Sequence, residues 1–232
     1  MNIKQFRYGA DNLGYLLYGE KSALAVDGGD VSGMLDFINA QGLELKYVTN
    51  THSHPDHTTG NRDLLENSRA QFLDFNSLLK QRVIELDGEN IEVFHTPGHT
   101  RDSVCFYCPP VLVSGDTLFN GKVGKCFTGD IDTFFNSIKT LLELPDSTIV
   151  YAGHDYVEEY MEFARQLEPD NPHIDTYLEN YNPSNVCASL ADEKNVDPFL
   201  RFNDEKIISI LDQKGLSTET ETDRWRSLMT LM

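Results

Sequence analysis

The stretch Thr51-His52-Ser53-His54-Pro55-Asp56-His57 decides how this chain is read. It sets four metal-grade side chains within six residues, directly after the apolar Tyr47-Val48. Three imidazoles and a carboxylate packed this closely repel one another once protonated and contribute little to packing. Transition-metal binding accounts for them better: imidazole suits zinc, iron and similar ions, and a carboxylate widens the choice.

Three more such residues lie downstream, and all share one setting. His52 follows Tyr47 to Thr51, and His99 follows Ile91 to Phe94 and a Pro97-Gly98 turn. Asp116 follows Val111 to Gly115, and His154 follows Thr148 to Gly153. Each falls just past the C-terminal end of an expected strand, where adjacent strands of a sheet deliver loops to one rim. Gly98, Gly115 and Gly153 beside three of them allow close turns.

His52, His54 and Asp56 share parity, so an extended chain aims them alike. His57 breaks parity. A turn into a helix near Pro55 swings Asp56 and His57 to a different point, so one loop can serve two metals. His52, His54 and His99 then form the first set and Asp56, His57 and His154 the second. Asp116 is placed to bridge them, with room left for water as a catalytic site needs. His95 reads as a half-buried strand residue on a face with Ile91 and Val93, or as one that supports a ligand from behind, rather than as a ligand, and His173 as a surface or cap residue at a helix start. Asp27, at the end of an early strand, reads either as a residue that orients a ligand histidine from behind or as a turn-forming aspartate.

The surroundings bound the class. The chain has 232 residues and a formal net charge of −18, which disfavours nucleic acid and anionic membranes as partners. The first residues carry no apolar leader and no stretch approaches membrane-spanning length, so the cytoplasm is the expected location. No obligate protein partner is evident. Cys105 and Cys108 form a C-x-x-C, but the segment reads as a strand whose spacing of three puts the thiols on opposite faces. The cysteines are read as free thiols of a reducing compartment.

Strands are expected over Lys4 to Tyr8, Leu13 to Tyr18, Ala23 to Val26, Tyr47 to Thr51, Val104 to Tyr107, Val111 to Ser114 and Thr148 to Tyr151. A hairpin over Ile84 to Phe94 turns at Asp87-Gly88. Helices are expected around Val31 to Ala40 and from Ile131 to Leu142, with Pro145 just past the end of the second. After His154 the chain reads as wholly helical, with an apolar stripe of Tyr156, Tyr160, Phe163, Ala164 and Leu167. Further helices are expected over Ile174 to Tyr181, Glu205 to Gln213 and Glu219 to Leu231. This order gives an α/β body with a helical C-terminal extension.

At these residues the chain resembles the metallo-β-lactamase superfamily: His52 to His57, Thr96-Pro97-Gly98-His99-Thr100, Ser114-Gly115-Asp116-Thr117-Leu118-Phe119 and Ala152-Gly153-His154 match its signature. Within it, the chain looks most like glyoxalase II, the hydroxyacylglutathione hydrolases. Gly153-His154-Asp155-Tyr156, Glu168-Pro169-Asp170-Asn171 and Asp197-Pro198-Phe199-Leu200-Arg201 resemble segments of that family. The resemblance implies a four-layer αββα sandwich, with residues 1–155 as catalytic domain and 156–232 as a helical extension that contributes to the substrate pocket.

It further implies a binuclear thioester hydrolase acting on S-(2-hydroxyacyl)glutathione such as S-lactoylglutathione, holding two divalent ions, zinc or alternatively iron or manganese. A bridging hydroxide held by Asp116 would be the nucleophile, between metals roughly 3.5–4 Å apart. Lys125, Tyr156, Arg201 and Lys206 carry over as glutathione contacts. The run Lys122-Val123-Gly124-Lys125-Cys126-Phe127 departs from the family's Gly-Cys-Gly-Arg/Lys pattern, and Arg101-Asp102-Ser103 from its x-Gly-His after Thr100. Both departures border the expected pocket. Alternatives are a mononuclear-iron persulfide dioxygenase, a β-lactam or phosphodiester hydrolase of the same superfamily, and a metal-binding module without catalysis.

Overall fold

Alternation along each strand assigns the layers. In the strand Asn12–Tyr18, Leu13, Tyr15 and Leu17 join one apolar cluster while Leu16 joins another. In Ser22–Val26, Leu24 and Val26 face the first cluster, and Ala23 and Ala25 the second. Side chains of a strand point alternately to its two faces, so both faces of this sheet are covered.

The computed structural model describes residues 1–232. Its first sheet has five strands in the order Asn2–Tyr8, Asn12–Tyr18, Ser22–Val26, Glu44–Thr49 and Gln71–Phe72. The second has six, in the order Ala188–Ser189, Ile149–Ala152, Val111–Gly115, Val104–Cys108, Glu89–His95 and Val83–Leu86. Between them lies a cluster of 23 buried residues, including Tyr15, Leu24, Ile91, Val104, Phe106 and Val113. The helices Val31–Gln41 and Asn61–Glu66 cover the outer face of the first sheet through Met34, Ile38 and Leu64. The outer face of the second sheet (Cys105, Tyr107, Leu112, Val150) is covered by Ile131–Leu142 and by the C-terminal helices. The chain is therefore the four-layer αββα sandwich that the resemblance implied.

Cys105 and Cys108 fall in different clusters, on opposite faces of their strand, and all four cysteines are free. Trp225 is fully buried, stacked on Phe135 at 5.1 Å and edge-on to Phe134 and Phe199 at 5.9 Å. A large side chain buried this way contributes on the order of 2–3 kcal/mol. It ties the helix Glu221–Met229 to the helix Ile131–Leu142.

Three expectations need correction. The strand expected over Tyr47 to Thr51 runs Glu44–Thr49. Thr51 leaves the ladder because its N–H and hydroxyl both donate to the Asp27 carboxylate, at 2.8 and 2.7 Å. The part after His154 is not wholly helical: Ala188–Ser189 pairs antiparallel with Ile149 and Val150 and caps the edge of the second sheet. Covering that edge satisfies ladder groups that would otherwise be open to another chain. Finally, His95 is exposed although Ile91 and Val93 on its face are buried. It ends its strand and reaches the carbonyl of Arg101 at 3.0 Å.

The strands that end in metal-grade residues share a direction. Ile149–Ala152 is parallel to Val111–Gly115, and Glu89–His95 is antiparallel to the strand between, Val104–Cys108. Their C-terminal ends therefore meet at one rim, and Glu44–Thr49 of the other sheet ends beside them.

Candidate metal centre

The loop after Thr49 performs the expected turn. His54 is extended (φ −60°, ψ 143°), Pro55 opens a short helix Pro55–Thr58, and Asp56 and His57 ride on it. Proline is suited to the first helical position because its missing N–H would lack a partner there. The helix carries His57 away from the direction of His52 and His54.

Two sets of donor atoms result. In the first, His54 Nδ1 lies 2.8 Å from His52 Nε2 and 3.1 Å from His99 Nε2. In the second, His57 Nε2 and His154 Nε2 are 3.1 Å apart, with Asp56 Oδ2 at 3.5 and 3.3 Å from them. Asp116 reaches both: its oxygens lie 3.4 Å from His99 Nε2, 3.4 Å from His57 Nε2 and 3.5 Å from His154 Nε2. All seven expected donors thus converge. His52, His54, His99 and Asp116 keep their donor atoms within 4.8 Å of one another, as do Asp56, His57 and His154.

The nitrogens that face away from the cluster are held. His57 Nδ1 meets Asp27 Oδ2 at 3.0 Å, and His154 Nδ1 meets Asp11 Oδ1 at 2.8 Å. His99 Nδ1 meets the Lys125 carbonyl at 3.0 Å, and His52 Nδ1 meets Thr51 Oγ1 at 3.1 Å. Tying one ring nitrogen to an acceptor leaves the other unprotonated and aimed, as metal ligation requires. Asp27 is fully buried with φ 52°, and its carboxylate serves Thr51 and His57 together. Gly153 is obligatory here, since a Cβ would lie 2.1 Å from Asp116 Oδ1.

The electrostatics suit a cation. Burial first, then the neighbouring His57, lowers His52 to about 4. His99 is also lowered, mainly by burial. Burial opposes ionisation of Asp116, but contact with His57 and the other imidazoles outweighs it and holds the carboxyl well below its ordinary range. Burial likewise opposes charge on His57, yet Asp27 and Asp116 raise it to about 11. Asp116 Oδ1 is buried without a hydrogen-bond partner. Converging imidazole nitrogens and an orphaned carboxylate oxygen fit a pair of divalent ions, each taking nitrogen and oxygen donors.

Around the cluster stand aromatic rings. Tyr156 stacks on His154 at 5.1 Å and 6°, and Phe119 lies beside both. Phe127 covers His54 and His99 at 5.7 and 5.1 Å while remaining 60% exposed. Lys125 comes to this edge, its Nζ 5.2 Å from the Phe127 ring. Arg201 and Lys206 make their polar contacts elsewhere. The Arg201 guanidinium forms a fork with Glu168, which is 1% exposed, and Lys206 faces Asp170 at 3.4 Å on the surface.

Residues 12–73 and 71–154 match the model of the metallo-beta-lactamase superfamily, and residues 155–230 match the hydroxyacylglutathione hydrolase C-terminus. The hydroxyacylglutathione hydrolase of Chromohalobacter salexigens is 31% identical over 225 residues, covering 88% of each chain. That of Methylobacillus flagellatus is 32% identical over 216 residues, covering 86% of each. The chain belongs to the hydroxyacylglutathione hydrolase family of the metallo-beta-lactamase superfamily. Among solved structures, ETHE1 from Myxococcus xanthus superposes with a TM-score of 0.69 at 21% identity, covering 99% of this chain and 90% of its own. At that identity it shares the fold.

The fold adds meaning to two residues that read in the sequence as turn punctuation. Asp11 lies between the first two strands and Asn12 opens the second, where polar residues are ordinary. Yet Asn12 Nδ2 donates to Asp56 Oδ2 at 2.8 Å, and the backbone of Asn12 bridges His154. Tyr8 shares this corner, its hydroxyl buried without a partner. No local signal distinguishes such a turn from any other. Its value comes from Leu13 N–H bonding the Gly153 carbonyl and Asp155 N–H bonding the Asp11 carbonyl, contacts that only the folded chain brings about.

Proposed function

We propose that this protein hydrolyses S-(2-hydroxyacyl)glutathione thioesters such as S-lactoylglutathione, releasing glutathione and a hydroxy acid. The observation that carries this reading is two donor sets meeting at Asp116 in a chain whose remainder matches the hydroxyacylglutathione hydrolase C-terminus. His52, His54 and His99 would hold one divalent ion, and Asp56, His57 and His154 the other, with Asp116 between. Zinc, iron and manganese all suit these donors. When bound, such ions make water nucleophilic near neutral pH and polarise a thioester carbonyl.

The remaining work falls to the chain. Asp27, Asp11, Thr51 and the Lys125 carbonyl hold four imidazoles in one tautomer, so their donor atoms stay fixed through turnover. Phe119, Phe127 and Tyr156 wall the cluster and limit bulk water. Direct attack by water needs no serine or cysteine nucleophile. The leaving group is a thiolate, which departs without prior protonation because its conjugate acid is moderately acidic.

Residues 1–155 would carry the chemistry and 156–232 would close the pocket around glutathione. Lys125 is proposed as the cation that meets a glutathione carboxylate, and Tyr156 as a wall and hydroxyl donor. A role for Arg201 or Lys206 would require release from Glu168 or Asp170, so they are secondary contacts. The test is turnover of S-lactoylglutathione by metal-loaded protein, with Asp116→Ala as control. Oxygen uptake with glutathione persulfide and no thioester cleavage would overturn it in favour of a dioxygenase, and inactivity on thioesters, lactams and phosphodiesters alike in favour of a module without catalysis.

A further inference from the structure

One wall of the metal centre is a short hairpin. Leu118–Phe119 pairs antiparallel with Lys122–Val123, leaving Asn120 and Gly121 as a two-residue turn. Leu118 and Val123 stand opposite each other and are buried in the core beneath. Phe119 and Lys122 take the other face. The Phe119 ring lies 6.1 Å from His154 and 5.5 Å from Tyr156, and Lys122 Nζ lies 4.8 Å from the Tyr160 ring on the helix Val157–Leu167. A hairpin with two residues per strand makes too few ladder bonds to hold itself in place, so its tip needs an outside grip.

Glu193 supplies that grip. Its carboxylate is fully buried and meets the tip twice: Oε1 accepts from Asn120 Nδ2 at 2.8 Å, and Oε2 from the Gly121 N–H at 2.6 Å. The Tyr177 hydroxyl donates to Oε1 at 2.7 Å. A buried carboxyl is costly unless donors meet it. Here three do, and two of them belong to the turn. Asn120 Nδ2 reaches one further acceptor, the Val150 carbonyl at 3.3 Å. Gly121 has φ 96°, and a Cβ there would lie 2.5 Å from Met161 Cε, so the turn also presses on the helix behind it.

Glu193 is itself tied to the second sheet. It lies on the helix Leu190–Val196, where the Leu190 N–H bonds the Thr148 carbonyl at 2.7 Å and the Ala191 N–H the Asp146 carbonyl at 3.0 Å. Ser189, which caps this helix, pairs with Ile149. The base of the hairpin is held separately. Thr117 N–H bonds the Ser114 carbonyl, Gly124 N–H bonds the Thr117 carbonyl, and Thr128 Oγ1 donates to the Gly98 carbonyl at 2.9 Å. Asp116 and His99 are therefore anchored without Glu193, and loss of the grip acts on the tip and on Phe119.

We propose that Glu193 is a positioning residue for substrate: by gripping the Asn120–Gly121 turn it sets where Phe119 stands beside His154 and Tyr156. The helical extension thus shapes the pocket wall from behind. The effect on turnover rests on the thioesterase reading, whereas the effect on Phe119 does not.

Assays of the full-length, metal-loaded protein at pH 8 keep Glu193 ionised, since burial raises its carboxyl only to about 7. Glu193→Gln offers one acceptor oxygen where three donors converge, and Asn120→Ala removes one arm of the grip. Each should raise KM for S-lactoylglutathione about fivefold or more, with kcat within about twofold and metal content unchanged. Tyr177→Phe takes a hydrogen bond from the same carboxylate but none from the turn, and should leave KM within about twofold. Ring-proton shifts of Phe119, read without substrate, should move in the first two variants and hold in Tyr177→Phe. Where Glu193→Gln does not fold, Asn120→Ala against Tyr177→Phe carries the comparison. An unchanged KM in a folded variant of the grip, an unmoved Phe119, or a KM raised as much by Tyr177→Phe would each overturn the proposal. A parent inactive on thioesters would overturn the substrate reading, and the Phe119 shifts would still decide the role of Glu193.

Discussion

His154 Nδ1 lies 2.8 Å from Asp11 Oδ1, a contact across 143 positions of chain. It fixes which nitrogen of His154 faces Asp56, His57 and Asp116. Asp11→Ala should therefore free the ring to flip or change tautomer and weaken metal binding at the second set by about 10–100-fold. Metal titration under competition with a chelator reads this directly. Equal affinity in variant and parent would show that stacking on Tyr156 alone orients the ring.

Gly153→Ala tests the tightness of the centre. The added methyl would lie 2.1 Å from Asp116 Oδ1 and 2.9 Å from His57 Cε1. Asp116 must move, so metal content and thioester turnover should both fall by at least tenfold while far-ultraviolet circular dichroism is kept. Full activity would mean that the Asp116 side chain can shift without cost.

Glu193 gives a pH signature remote from the metals. Burial pushes its carboxyl up to about 7, and hydrogen bonds from Tyr177, Asn120 and Gly121 only partly offset this. Its ordinary value is 4.5. Between those values the folded protein holds a proton that the unfolded chain has released, so this group's contribution to stability falls as pH rises and levels off above the upper value. Glu193→Gln cannot titrate. The stability of the parent relative to that variant, from urea unfolding, should drop by on the order of 2–3 kcal/mol between about pH 5 and pH 8. A constant difference would place the ionisation of Glu193 outside this range.

Arg201 distinguishes a substrate contact from a structural pair. Its fork with Glu168 leaves that carboxylate 1% exposed, so Arg201→Met strands a buried charge and should cost about 3–5 kcal/mol. The expected result is a lower unfolding midpoint in urea. An unchanged midpoint with a KM for S-lactoylglutathione raised several-fold would instead mark Arg201 as a glutathione contact.

How much of this was legible in the sequence depends on range. His52 to His57 could be partitioned by parity and by Pro55, because both are local rules. The strand-end positions of His99, Asp116 and His154 followed from apolar runs that stop at glycine. The layers were legible only through the resemblance, since alternation does not say which sheet covers which. The strand Ala188–Ser189 escaped notice because two residues carry no period and owe their conformation to Ile149 and Val150. Asp11 and Asn12 escaped because a turn's polar residues look alike until a distant histidine arrives. Arg201 was read from its motif, and nothing in that motif revealed that Glu168 would engage its charge.

Ala188–Ser189 also bears on how this chain can be divided. The boundary between the two family matches falls at residues 154 and 155, yet the ladder to Ile149 and the ring stack of Trp225 on Phe135 cross it. A shortened form ending at that boundary would bare one flank of a sheet and the aromatic surface of Phe134 and Phe135. Such a fragment should precipitate or self-associate when expressed, whereas the full chain, which keeps both contacts, should not.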